Sequence, residues 1–128
     1  MTITPEDLQA LIRDYSIEVT PKAAQKIGDF RPWLAEGTQV YVPNLRGTKI
    51  SDCIDTCEQL QKQQMCAVPH IVLRNYRSED ELRQTLDRVQ ALGIDRILLL
   101  AGAASQPLGP YDSVMSMLKT GLLQHYRF

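Results

Sequence analysis

The chain has 128 residues, 44% of them apolar and 23% charged, with a formal net charge of −1. That length suits one domain with a real core, and residues 1–128 read as a single domain of βα repeats. The near-neutral balance, without any basic block, suggests no nucleic-acid surface. No apolar run approaches the ~20 residues of a membrane span, and MTITPEDLQ lacks the basic and apolar regions of a signal peptide.

Thr4 followed by Pro5, Glu6 and Asp7 is a helix start, with a cap, a proline at the first position and early acids. Leu8, Leu11 and Ile12 give that helix an apolar stripe. The first strand runs from about Ser16 to Thr20, alternating Ser16, Glu18 and Thr20 with Ile17, Val19 and Pro21. Alternate side chains of a strand face opposite ways, so Glu18 stands on a polar face that meets water or lines a site. A helical stretch broken at Pro32 spans about 22–36, with Asp29 a candidate cap for its second piece.

Residues 38–44 read as the second strand. Thr48 then opens a helix with Ile50, Cys53, Ile54, Cys57 and Leu60 at helical spacing. Residues 66–73 form the third strand. Ser78 begins a capping box with Glu81, and Leu82, Leu86, Val89 and Leu92 form a stripe that ends at Gly93. Residues 94–102 read as the fourth strand, and the unbroken Ile97–Leu100 run suits a strand covered on both faces. A Gly/Pro/Ser-rich loop, 102–110, leads to a last helix carrying Val114, Met115, Leu118 and Leu122. His125-Tyr126-Arg127-Phe128 resembles the start of a fifth strand.

The cysteines are Cys53, Cys57 and Cys66. An odd number without an export signal points to reduced thiols and a cytoplasmic location. Cys53 and Cys57 share one helix face as core residues, and no further Cys or His pair completes a metal site.

Four βα units with right-handed crossovers make one parallel sheet. A doubly wound open sheet and half of a TIM-type (βα)8 barrel both fit this pattern. Either architecture binds ligands at the C-terminal strand ends. Those ends offer Glu18 and Thr20, then Pro43, Asn44 and Arg46, then His70 and Arg74. The fourth offers Ala101, Gly102 and Ala103, with Ser105, Tyr111 and Ser113 beyond. A carboxylate, an imidazole and an arginine could thus converge on one mouth. Each also has a plain role as an ion-paired surface group, a hydrogen-bonded core histidine or a packing aromatic.

Taken in order, these strand ends resemble the methylenetetrahydrofolate reductase family. The resemblance rests on Ile17-Glu18-Val19-Thr20-Pro21-Lys22, on Val40-Tyr41-Val42-Pro43-Asn44, and on the Pro69-His70 pair. It continues through the Gly93-Ile94 step into Ile97-Leu98-Leu99-Leu100, and through Tyr111-Asp112-Ser113 at a helix start. It spans most of the chain and the first half of the family's barrel, so residues 1–128 are expected to be the N-terminal half of a larger barrel.

The resemblance implies a flavin-dependent oxidoreductase of folate one-carbon metabolism. FAD would be the cofactor, NADH or NADPH the reductant and a folate the small-molecule substrate. A homo-oligomer is expected. Glu18 takes the place of the acid that helps open the folate's methylene bridge. Pro43, Asn44, His70, Ala101, Gly102, Ala103, Tyr111 and Ser113 would lie at the flavin. The chain departs from the family at two strand ends. Ala101-Gly102-Ala103 stands where the family has Arg-Gly-Asp, and Pro43-Asn44-Leu45 where it has Thr-Tyr-Gly. A related folate- or flavin-binding barrel without reductase activity, and a self-associating half-barrel without catalysis, are the alternatives.

Overall fold

A computed structural model describes all residues, Met1–Phe128. Four parallel strands form one sheet in the order β1-β2-β3-β4. They are β1 (Ser16–Glu18), β2 (Gln39–Val42), β3 (Cys66–Val72) and β4 (Leu98–Leu100). The helices are α1 (Pro5–Leu11), α2 (Pro21–Ile27), α3 (Ile50–Lys62), α4 (Glu79–Ala91) and α5 (Val114–Leu118). Every strand lies beside its successor, so the sheet has no point at which the strand order reverses, the feature that defines a doubly wound fold.

The strand alternation separates two faces. Ile17, Val40, Val42 and Ala67 join a core with Ala24 of α2 and Cys53, Ile54, Cys57 and Leu60 of α3. Ile71, Leu73, Tyr76, Leu82, Leu86, Tyr111, Met117 and Leu122 make a second core farther along the sheet. The other face carries Glu18, Gln39, Tyr41, Val68, His70, Val72, Leu98 and Leu100, and no helix covers it.

Local chemistry explains most helix starts. Thr4 and Asp7 form a reciprocal capping box at α1, and the Thr20 hydroxyl accepts from Ala23 N–H at α2. Thr20 thus caps a helix and does not extend β1. Ser78 accepts from Glu81 N–H, while the Glu81 carboxylate accepts from Arg77 N–H at 2.7 Å, one residue before the expected partner. The α3 stripe buries Cys53, Ile54, Cys57 and Leu60, each large aliphatic side chain contributing roughly 1.5–3 kcal/mol.

Several expectations are corrected. The stretch after Gly28 holds no second helix. Its turns are tied to α3, where the Gln63 side chain donates to Gly28 O and accepts from Phe30 N–H. Asp29 caps no helix and instead binds the Arg31 amide and guanidinium. The α1 stripe is not buried: Leu8, Leu11 and Ile12 are 52%, 81% and 60% exposed. Tyr126 starts no fifth strand; its hydroxyl donates to Asp87 Oδ1 at 2.8 Å, on α4.

The fourth strand is shorter than its apolar run, and only half-buried. The reason lies in β3. Cys66 N–H points toward β2 and donates to Thr38 O, so Ala67 and Pro69 turn their backbones toward the β4 side. Ala67 N–H is already taken by Gln61 Oε1 at 3.0 Å, and Pro69 has no N–H. Pairing with β4 therefore begins only at His70, opposite Leu98.

Cys53 and Cys57 are fully buried. Burial, with Asp52 adding to it, pushes the Cys53 thiol up to about 11, and burial pushes Cys57 up to about 12. Since the thiolate is the reactive form, neither should be alkylated by iodoacetamide at pH 8 in the native protein, and both should be in denaturant. Mass mapping of native labelling at either position would contradict this packing.

Candidate functional site

A cleft of about 690 Å³ opens at the C-terminal ends of β2, β3 and β4. The second strand end supplies Pro43, Asn44 and Arg46; β3 supplies His70 and Val72; the segment after β4 supplies Gly102, Ala103 and Ser105. Its size falls within the range of small-molecule sites, roughly 300–1,000 Å³.

His70 projects from the uncovered face of β3 with 11% of its side chain exposed. Burial holds its pKa below the usual histidine range, and Glu18 partly offsets this. The ring is therefore neutral at pH 7. Glu18 Oε2 lies 3.7 Å from His70 Nε2, too far for a hydrogen bond. Tyr41, opposite Glu18 in the β1–β2 register, meets the imidazole edge-on with centroids 6.0 Å apart. Two buried polar atoms at this mouth have no partner in the protein, His70 Nε2 and Asn44 Oδ1. Buried polar groups are nearly always paired, and an orphan is costly. The pair marks where a ligand's polar edge would be received.

Glu18 is not among the residues that line the cleft, and its side chain is 59% exposed. Ala101 lies behind the cleft wall, its carbonyl accepting from Arg74 N–H. Tyr111 and Ser113 do not line the cleft. Tyr111 is packed in the second core on the helical side, and burial, with Glu79 nearby, raises its phenol pKa. The Ser113 hydroxyl accepts from Ser116 N–H and caps α5.

Arg74 does not present its charge to the cleft. Its guanidinium donates to Asp112 O at 2.8 Å and Ala104 O at 2.7 Å, and pairs with Asp112 Oδ1 at 3.2 Å. It straps the loop that forms one wall. Gly102 approaches β3 closely at φ +105°, and a Cβ there would meet Val72 Cγ1 at 2.7 Å. Val72, Asn75, Leu100, Ala104 and Gln106 also line the cleft and were missed. The period-2 alternation of Val68, His70 and Val72 was the signal for Val72; the loop residues carried none.

The sign of the His70 shift gives a pH prediction. The folded state binds this proton less well than the unfolded chain does. Its neutral ring thus costs no stability above the unfolded value, ~6.5, and stability is lost as pH falls from there through the depressed folded value. Urea midpoints should drop as pH falls below about 6.5 in the native chain, and less steeply in His70→Gln. Parallel slopes in the two proteins would refute a buried neutral imidazole.

No known protein-family model matches this chain.

Proposed function

We propose that the four βα units are half of a TIM-type barrel, and that the chain is a divergent flavin-dependent oxidoreductase of the methylenetetrahydrofolate reductase type. The observation that carries the reading is the pair of buried, unpartnered polar atoms at the C-terminal mouth, Asn44 Oδ1 and His70 Nε2. Sequential parallel strand order supports the barrel half.

These residues suit FAD. Asn44 and the neutral His70 would hold the polar edge of a flat heterocycle, Val72 and Leu100 would pack on its apolar part, and the bare backbone at Gly102 admits a close approach. When bound, the flavin would supply hydride transfer from NADH or NADPH to a folate. Glu18 would hold a proton at its carboxylate and deliver it to the substrate beside His70. That role needs a cover over Glu18, whose side chain is 59% exposed in one copy.

A second reading is flavin or folate binding without turnover. It is favoured by Ala101-Gly102-Ala103, which brings no charged group to the cofactor. The test is quenching of FAD fluorescence by the purified chain, followed by NADH addition. Saturable binding that weakens at least about tenfold in His70→Ala is expected. Bleaching of the flavin band by NADH favours the reductase, and binding without bleaching favours the second reading. No quenching at ~1 mM protein would overturn both.

A further inference from the structure

The sheet has two free edges, β1 and β4, and their offset is informative. Crossing the sheet perpendicular to the strands, Ser16 leads to Gln39 and then to Cys66. Strand β4 is first met at His70, opposite Leu98, four residues farther along β3. The stagger follows from Pro69 and from the Ala67 amide being occupied by Gln61. Closing an eight-stranded parallel barrel requires a total stagger of about 8 residues. Each half must then supply about four, which it does when Leu98 of one half lies opposite Ser16 of the other.

We propose that two copies of this chain close one eight-stranded barrel about a two-fold axis, with β4 of each copy pairing in parallel with β1 of the other. This rests on the half-barrel reading and is independent of the flavin.

The pairing places Leu98 opposite Ser16 of the second copy and Leu100 opposite Glu18 of the second copy. The offset is even, so the side chains on the uncovered face of one sheet continue onto the uncovered face of the other. An odd offset would set Leu99, which packs toward the helices, beside Glu18. The backbone agrees. Val19 N–H points to β2, which leaves the backbone groups of Glu18 outward at one edge. The turn of Pro69 and Ile71 toward β4 directs Leu98 and Leu100 inward and leaves Leu99 outward at the other, where it would meet Ser16 O and Glu18 N–H of the second copy.

The helical layer supplies an independent sign. Helix α1 precedes one edge strand and buries none of its residues. Its Leu8, Leu11 and Ile12 form an exposed apolar stripe. Helix α5 follows the other edge strand and exposes Met115 and Leu118. A helix preceding a barrel strand packs over the seam with the previous strand. In the closed dimer that seam joins β1 to the other copy's β4, so the two exposed stripes become neighbours. The second sheet also covers the open side of Glu18, the enclosure its proposed acid role lacks in one copy.

Sedimentation equilibrium of the chain without flavin should give twice the 14.5 kDa chain mass at about 50 µM. Leu98→Lys combined with Leu100→Lys should give a monomer with unchanged far-ultraviolet dichroism. The register is tested separately in a Cys66→Ser background. Ser16→Cys with Leu98→Cys should oxidise to a disulfide-linked dimer, because neighbouring strands bring Cα atoms within bridging distance. A monomeric parent chain, a dimer that persists in the folded double-lysine variant, or a dimer without the disulfide would each overturn the proposal. A flavin titration that fails while the disulfide forms sinks the proposed function and leaves the dimer standing.

Discussion

Gly109→Ala is expected to lower stability by about 3 kcal/mol and the melting temperature by roughly 10 °C. A Cβ at this position would lie 2.6 Å from the Arg77 carbonyl carbon, and nearer still to the Tyr76 and Arg77 oxygens. All three obstacles are backbone atoms, so no side chain can swing aside to admit the methyl group. The return of the long loop is anchored at the same place, where Leu108 N–H donates to Arg74 O at 2.9 Å. Relief by movement of the loop would break that bond and open the wall of the cleft. Gly47→Ala is the comparison: nothing lies within 4 Å, and only its φ of +83° opposes a side chain, a cost of about 1 kcal/mol. Urea unfolding of both variants decides the matter. Equal, small losses would show that the Gly109 approach is not a tight one.

Arg74→Met should cost about 2–3 kcal/mol and, more tellingly, should release one segment selectively. The side chain is 24% exposed, so its bonds to Ala104 O and Asp112 O are only partly screened. Methionine keeps the apolar stem and removes all three polar contacts. The backbone bonds of Arg74 with Ala101 and Leu108 survive, so the loop should remain attached at its ends and loosen between them. Amide exchange should accelerate across 103–107 and at 112, while α3 stays protected. Arg74→Lys should not restore protection, since one ammonium cannot reproduce a fork that spans two carbonyls and a carboxylate. Uniform acceleration through α3 and α4 would mean that Arg74 supports the whole fold instead of the wall of the cleft.

Much of the fold is legible within a few residues of chain. The caps at Thr4, Thr20, Ser78 and Ser113 are contacts across three residues. The α3 stripe and the alternation in β2 and β3 are periodic patterns that a reader can count. The α/β class and the parallel order of units follow from them. Pro43, Asn44, His70, Gly102 and Ala103 are legible as strand ends, and the structure gathers them on one cleft, because the ends of parallel strands face one way whatever their neighbours are.

What the sequence left open depends on groups that are distant along the chain. Helix α2 ends where the side chains of Gln59, in α3, and Gln63, just after it, take the Gly28 carbonyl, 31 and 35 residues away. Strand β4 begins where Pro69 and the Gln61 contact cease to block β3. Tyr111 turned to the second core and Arg74 to its own loop, so neither lines the cleft as a free group. The exposure of Glu18 was likewise undecided, since a period of two assigns a residue to a face and says nothing about what stands across from it. Caps, stripes and alternation are set by neighbours in sequence. Burial, strand length and the Glu18–His70 distance are set by which surfaces meet, and only the packed sheet brings those together.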